Sequence, residues 1–440
     1  MKKINNNTSE LYINFFSYLI ILLPVFLISG PFISDLAVSI LAISSLFFFR
    51  NKKFFLNFFF ILFIIFWILI IISSLFSEYK LISLKSSSLY FRFILFSLFV
   101  WWILEENKKI IIKIYIVLLF CFLILIFDSI FQYFNGSNIF NMKIVEESRI
   151  SSFFGEELKL GGFLMRLFPL LVALSFFFYK KKKHEKYLYI SIIFILFLQV
   201  SIFLSGERSS FFLFNFSILL FIIFLNDLKK FKILIFFLYL GILSLLVTIE
   251  TPFKKRIVDL TLKDTQVLET EKQKYIFSRQ YHEHYLSAWK MFQDNILFGI
   301  GPKAFREKCK EKKYNFSILT CSTHPHNMPI QLLSETGIFS FFLYLTLNII
   351  VWFNLFKNLY SKIFYSKFYL NNFQISLLVG VGIIIFPFTP NGNVFNNWLS
   401  IVFYYPVGFL LWSLKNSNNM YLKSLKKYTF FKKFILQIKI

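Results

Sequence analysis

The chain has 440 residues, of which 57% are hydrophobic and 16% charged, with a mean hydropathy of +0.65; this excludes an assembly of soluble domains and indicates an integral membrane protein. The formal charge of +25 does not indicate nucleic acid, because the basic residues stand in short clusters between apolar runs, as the positive-inside rule requires. Those runs exceed the roughly 10-residue alternating segments of a β-barrel, so the expected fold is an all-α polytopic membrane protein of about twelve transmembrane helices with one long outer loop that itself carries helices.

In chain order, apolar windows fall at Leu11–Ser29, Phe32–Phe49, Phe54–Phe76, Leu89–Leu104, Ile110–Phe134 and Gly161–Tyr179. They continue at Tyr187–Leu204, Phe211–Leu225, Ile233–Ile249, Pro329–Phe353, Leu370–Phe388 and Trp398–Leu414. Lys2 and Lys3, Arg50 with Lys52 and Lys53, Lys108 and Lys109, the run Lys180 to Lys183, Lys229 and Lys230, Lys357 to Lys367 and the tail from Lys415 occupy alternate connections. These connections are expected in the cytoplasm, as are both termini. The first apolar segment lacks a small-residue cleavage site and reads as a retained helix. The chain thus divides into nine helices over 1–249, the outer loop 250–328, three helices over 329–414 and a basic cytoplasmic tail over 415–440.

The loop holds Trp289, His282, His284, His324 and His326. Residues 265–295 have helical character, with Tyr281, Tyr285, Ala288 and Phe292 recurring every three or four positions as a stripe for the membrane surface. On that reading His282 and His284 lie on the exposed side of the helix, and His184 is cytoplasmic surface.

Only eight of the 48 basic residues are arginine, and seven of the eight, Arg92, Arg149, Arg166, Arg208, Arg256, Arg279 and Arg306, map to outer loops or outer helix ends, against the orientation rule. A planar guanidinium fork binds phosphate oxygens bidentately, which fits a pyrophosphate at headgroup level. The plainer account is pairing with Glu146, Glu147, Glu207 or Glu283. For Arg208 that account is weaker, because Ser205 to Ser210 form a very short turn between apolar helices.

The segment Cys321-Ser-Thr-His324-Pro-His326-Asn327-Met-Pro329 is a helix start, with Asn327 as N-cap and Pro329 in the first turn. His326 sits before the positive end of that helix, which favours a neutral imidazole able to act as a general base. Ser334, Gly337 and Ser340 recur every three residues and would let another helix approach closely.

His326-Asn327, nine residues and then Gly337 resembles the signature of the O-antigen ligase and O-antigen polymerase superfamily of bacterial envelope enzymes. Arg279 with Trp289, Met291 and Phe292, then Asn295 to Pro302, is similar to the family's segment before the histidine, and Gly206 to Ser210 to its arginine turn. In that turn position 212 is Phe and Leu213 comes one residue later than in ligases. The resemblance implies a periplasmic loop and an active site on the periplasmic face of the bacterial inner membrane. It implies transfer of a glycan from undecaprenyl diphosphate to an acceptor hydroxyl, on lipid A-core for a ligase or on another lipid-linked glycan for a polymerase, without cofactor or metal. His326, Arg208 and Arg279 are then the catalytic candidates. Asn327, Glu207, Glu335, Arg149, Trp289 and His324 are candidates for substrate binding.

A zinc site from Cys321, His324 and His326 lacks a familiar ligand spacing, and Gly299-Ile300-Gly301 lacks the Gly-Lys-Ser/Thr ending of a nucleotide loop. A transporter or flippase has a similar helix count but carries its charges near the midplane. Cys121 lies in an apolar helix, whereas Cys309 and Cys321 share the outer loop, an oxidising compartment, and are expected to pair as a disulfide.

Overall fold

The computed structural model describes residues 6–48, 54–55, 57–182, 186–265 and 278–415. Lys2, Lys3, Arg50, Lys52, Lys53, Lys183, His184, residues 266–277 and the tail beyond 415 lie outside the described residues. The first ten helices are α1 (Asn6–Ser29), α2 (Pro31–Phe48), α3 (Phe58–Phe76), α4 (Lys80–Ser87), α5 (Arg92–Glu106), α6 (Ile110–Asn135), α7 (Leu160–Lys182), α8 (Lys186–Leu204), α9 (Arg208–Phe224) and α10 (Lys229–Thr248). Short helices α11 (Pro252–Lys254) and α12 (Leu260–Thr265), joined by one π turn, lead to α13 (Arg279–Asp294) and α14 (Phe305–Lys308). The chain then returns through α15 (Met328–Tyr365), α16 (Asn372–Ile384) and α17 (Asn397–Lys415). Among the described residues there is no strand, only two isolated bridges.

This is an all-α polytopic membrane protein. Nine described spans are long and apolar enough to cross a membrane, and three shorter apolar helices lie among them. Such helices satisfy their backbone groups internally, which a bilayer demands. Each sorts its residues by face: along α6, Ile116, Phe120, Leu123 and Phe127 are exposed at helical spacing, while Ile114, Leu118, Phe122 and Leu125 are buried. The first set faces lipid and the second the bundle. Helix α7 is buried almost all round, so it alone among these can carry a buried arginine, Arg166, inside the bundle.

Helix α15 is not the single uninterrupted rod expected from residue 329. It breaks at Gly337, where φ is 77° and ψ is −178°, a conformation open essentially only to glycine. The segment Ile296 to Gly301 fills the break and takes up its freed backbone groups. The Ile338 amide donates to Ile296 O, Ile300 N to Ser334 O and Gly301 N to Glu335 O, each at 2.9 Å. The small residues Ser334, Gly337 and Ser340 therefore admit a loop rather than a second helix.

One end of the bundle gathers the connections 77–91, 136–159, 205–207 and 385–396 and the described residues of 250–328. Ser77 Oγ donates to Ile300 O (2.6 Å), Arg256 Nε to Gly206 O (3.1 Å) and Asn391 N to His326 O (2.7 Å). The described connections 107–109, 225–228 and 366–371, which carry or adjoin Lys108, Lys109, Lys229, Lys230, Lys362 and Lys367, fall at the other helix ends.

Candidate functional site

His326 stands in the left-handed region at φ 59°, a strain that a histidine tolerates better than most residues and that neighbouring contacts hold in place. Its carbonyl accepts the Asn391 amide, and Asn327 immediately after it caps α15 by accepting from Ile330 N at 3.2 Å. Asn327 Nδ2 also donates to Pro387 O at 2.9 Å, which ties the helix start to the α16–α17 connection.

The half-buried His326 ring is surrounded by rings. His324 lies 3.9 Å away between centroids, His284 5.4 Å and Tyr281 5.5 Å. Its Nε2 is 2.9 Å from Ser322 Oγ. Burial, reinforced by His284, lowers the His326 pKa to about 4, so the imidazole is neutral at neutral pH. His324 is lowered to about 3 by burial and then by His326. Its Nε2 must donate to the Asn391 carbonyl (3.2 Å), which leaves Nδ1 to accept from Thr323 Oγ1 (2.9 Å). With both nitrogens engaged, His324 fixes the loop, and His326 is the histidine free for chemistry.

His284 corrects the expected orientation of α13. The buried face carries Glu283, His284, Ser287, Ala288, Met291 and Phe292, while Trp289 is 48% exposed with its ring against Phe292. His284 is fully buried, and burial lowers its pKa. The face turns this way because a neutral imidazole packs on His326 as an aromatic, which a polar reading of histidine does not anticipate.

A group of arginines lies within electrostatic reach of Tyr281, whose ring is 5.5 Å from that of His326. Arg208 Nη1 is 2.8 Å from Asp264 Oδ2, Arg149 Nη1 is 3.6 Å from Glu146, and Arg256 Nη1 is 3.3 Å from the same Glu146. Burial, then the Arg149 charge, pushes the Arg256 guanidinium below its ordinary range, with Arg208 and Tyr281 also close enough to act on it. Three guanidinium groups thus share two carboxylates, an excess of positive charge that an anion would relieve. The plainer pairing account holds for Arg149 with Glu146 and for Arg279 with Glu283, but Arg208 pairs with Asp264 instead of Glu207.

Glu207 accepts from Gly161 N (2.7 Å) and Ser210 Oγ (2.8 Å), and its pKa is raised by burial against the pull of Ser210, Arg166 and Arg149. It buttresses the arginine turn. Arg279 heads α13, 59% exposed; its Nε is 3.3 Å from Glu283, whose other oxygen takes hydrogen bonds from Ser317 and Thr320. Its two Nη nitrogens make no ion pair among the described residues. Glu335 is buried beneath the histidine loop, accepting from Phe305 N (3.2 Å) and Gln331 Nε2 (2.8 Å).

Two residues with no assigned role at the sequence level belong here. Arg256 holds the Gly206 carbonyl, and Arg166 bridges Gly162 O and Asn391 Oδ1 at 3.1 Å each, so it sets the residue that pins both histidines. Both stood among the seven misplaced arginines, and that was their only signal. Arg166 and Asn391, with Asn393 and Ser400, also line a mostly apolar cavity between α3, α5, α15, α16 and α17. Cys309 and Cys321 are disulfide-bonded, with Cα atoms 5.4 Å apart. Among the described residues no three His, Cys, Asp or Glu side chains are grouped to hold a metal ion.

Residues 192–345 match the family model described as O-antigen ligase. The O-antigen ligase match runs from α8 to just past the break in α15, so it takes in Arg208, Arg256, Arg279, His326 and Gly337 and leaves out Arg149, Arg166 and Asn391. It supports the resemblance to the ligase and polymerase superfamily and a general activity of ligase or polymerase type. No curated protein matches the chain.

Proposed function

We propose that this chain is an O-antigen ligase-like glycosyltransferase of the bacterial inner membrane that moves a glycan from undecaprenyl diphosphate to a lipid A-core hydroxyl on the periplasmic face. The acceptor oxygen attacks the anomeric carbon, its proton passes to His326, and the bond from that carbon to the diphosphate oxygen breaks. A glycosyl diphosphate is already activated, so the protein's work is to take the proton and to stabilise the departing charge. Arg208 and Arg279, with Arg149 and Arg256, neutralise the diphosphate. Asn327, Glu207, Glu335 and His324 hold these groups in place, and Trp289 offers an exposed ring to sugar. In this scheme Ser322 occupies at Nε2 the position that the acceptor hydroxyl takes over, and the apolar cavity below Arg166 receives part of a lipid tail.

The observation that carries the reading is the neutral, ring-packed His326 beside Tyr281, which is itself within electrostatic reach of Arg256 in the group of Arg149, Arg208 and Arg256. Its test is His326→Ala in a membrane assay of glycan transfer, where we expect a loss of about 10²–10⁴-fold, the usual worth of a general base, with normal protein abundance. Near-normal transfer by that variant overturns the base assignment. Transfer by the wild type is expected to survive EDTA.

A further inference from the structure

A second cationic group lies in the same loop region as His326, and the proposed reaction leaves it unused. The loop that fills the α15 break continues through Lys303 and Arg306. Ser77 Oγ holds the Ile300 carbonyl at 2.6 Å, and Gly301 is seated so closely on α4 that an added Cβ would lie 2.4 Å from Ser83 Oγ. That docking brings Lys303, itself at φ 61°, within electrostatic reach of Lys85 of α4 and Arg92 of α5. Phe305 between Lys303 and Arg306 donates its amide to the buried Glu335, which fixes the spacing of the two cations.

The balancing charge is small. Arg92 pairs with Asp35 at 2.6 Å, and the buried Glu335, held by backbone and Gln331 hydrogen bonds, is a nearby carboxylate that also acts on Lys303 and Arg306. Lys85, Lys303 and Arg306 have no carboxylate within ion-pair distance among the described residues. Arg306 Nε is buried without a hydrogen-bond partner, as is Arg92 Nε. Burial, then the Arg306 charge, lowers the Lys303 ammonium below its usual range. Arg306 is also near enough to act electrostatically on His324. Leu81 and Leu89 on either side of Lys85 are 86% and 57% exposed, so the group sits where apolar surface meets water.

We propose that Lys85, Arg92, Lys303 and Arg306 form a second anion site, which holds a phosphate or diphosphate of the lipid-borne acceptor while Arg149, Arg208 and Arg256 hold the donor diphosphate. The assignment of this anion to the acceptor rests on the proposed transfer reaction. The site's affinity for phosphorylated lipid is independent of it, so binding is measured separately from transfer.

Native mass spectrometry of the full chain in detergent would count bound undecaprenyl diphosphate, lipid A, enzymatically dephosphorylated lipid A and phosphatidylglycerol. The wild type is expected to hold two phosphorylated lipids, and Lys303→Gln with Arg306→Gln to lose one of them by at least tenfold in affinity. The other is lost by Arg208→Ala. Loss of a second undecaprenyl diphosphate identifies a lipid-linked glycan as acceptor, and loss of lipid A a phosphorylated core; either supports the site. Lys85→Gln, on an exposed side chain, gives a smaller loss in the same direction and guards against misfolding of the double variant. Unchanged binding by both variants, equal binding of phosphatidylglycerol, or undiminished binding of dephosphorylated lipid A overturns the proposal. If these binding results hold while His326→Ala retains transfer, the reaction scheme fails and the site stands.

Discussion

Two side chains, His326 and Arg256, show how burial decides what a titratable group can do. Burial and His284 lower the His326 pKa to about 4, so the base form is present above that value and is lost as the pH falls through it. We expect the acid limb of kcat/KM, which reports the free enzyme, to fall near pH 4 with a plateau across pH 5.5–7.5. A limb centred near the ordinary histidine value of about 6.5 would mean that the working base is solvated and is not this ring. Arg256 spans Gly206 O and Glu146 from two different nitrogens, which a lysine cannot reproduce. Arg256→Lys is therefore expected to cost about tenfold in initial rate, equivalent to ~1.4 kcal/mol, the scale of one charge-assisted hydrogen bond. A loss of less than twofold would show that only positive potential matters there. The histidine motif was legible because the N-cap, the proline and the spacing to Gly337 are local in sequence. Arg256 was legible only as a guanidinium on the wrong side of a lysine-rich protein, since its partners, Gly206 and Glu146, are fifty and more residues away.

At the scale of the element, the interval from His326 to Gly337 has a mechanical meaning. Cap, two turns of helix and break form one unit, with the histidine at its start and the docking of residues 296–301 at its end. Periodicity revealed the helix, but the break depends on a loop some forty residues upstream and leaves no local mark except a glycine. A Cβ on Gly337 would stand 2.1 Å from Leu297 O at a φ of 77°. Gly337→Ala therefore combines backbone strain with a backbone clash, and we expect a destabilisation of about 2–5 kcal/mol and loss of transfer. Thermal unfolding in detergent checks this, with Gly241→Ala as the comparison. Gly241 lies inside α10 with open space around its Cα, so its substitution should be neutral or stabilising by up to ~1 kcal/mol. Equal unfolding temperatures for the two variants would remove the break from the account. The orientation of α13 shows the opposite failure of sequence reading. Its amphipathic pattern was plain, and Ala288 and Phe292 of the expected stripe are buried, yet counting His284 as polar put that residue on the wrong side.

Across the whole molecule, Lys108, Lys109, Lys229, Lys230 and Lys367 lie at one set of helix ends, while Arg149, Arg208, Arg256, Arg279 and Arg306 lie with the histidines at the other, among further lysines such as Lys254, Lys303, Lys308 and Lys310. Hydropathy alone revealed the helices, since a bilayer allows few other solutions, but which connections meet at the site depends on tertiary contacts. On the proposed orientation, the two loop cysteines face an oxidising compartment. Cys121 is buried in α6, whereas the Cys309–Cys321 bridge closes the loop that leads into Ser322 and His326. With a separation of 12 residues, that closure is worth about 3 kcal/mol in the chain-entropy model, and it shortens the free path between α14 and the proposed base. Cys309 is fully buried, so alkylation must be done in denaturant. Without reductant one thiol should react, that of Cys121, and after reduction all three of the chain's cysteines. Three reactive thiols before reduction would mean that no bridge forms in the cell, which places the loop in a reducing compartment and reverses the proposed orientation. One reactive thiol, together with slower transfer after reduction of the intact membrane, ties the bridge to the position of His326 and puts the site on the oxidising side.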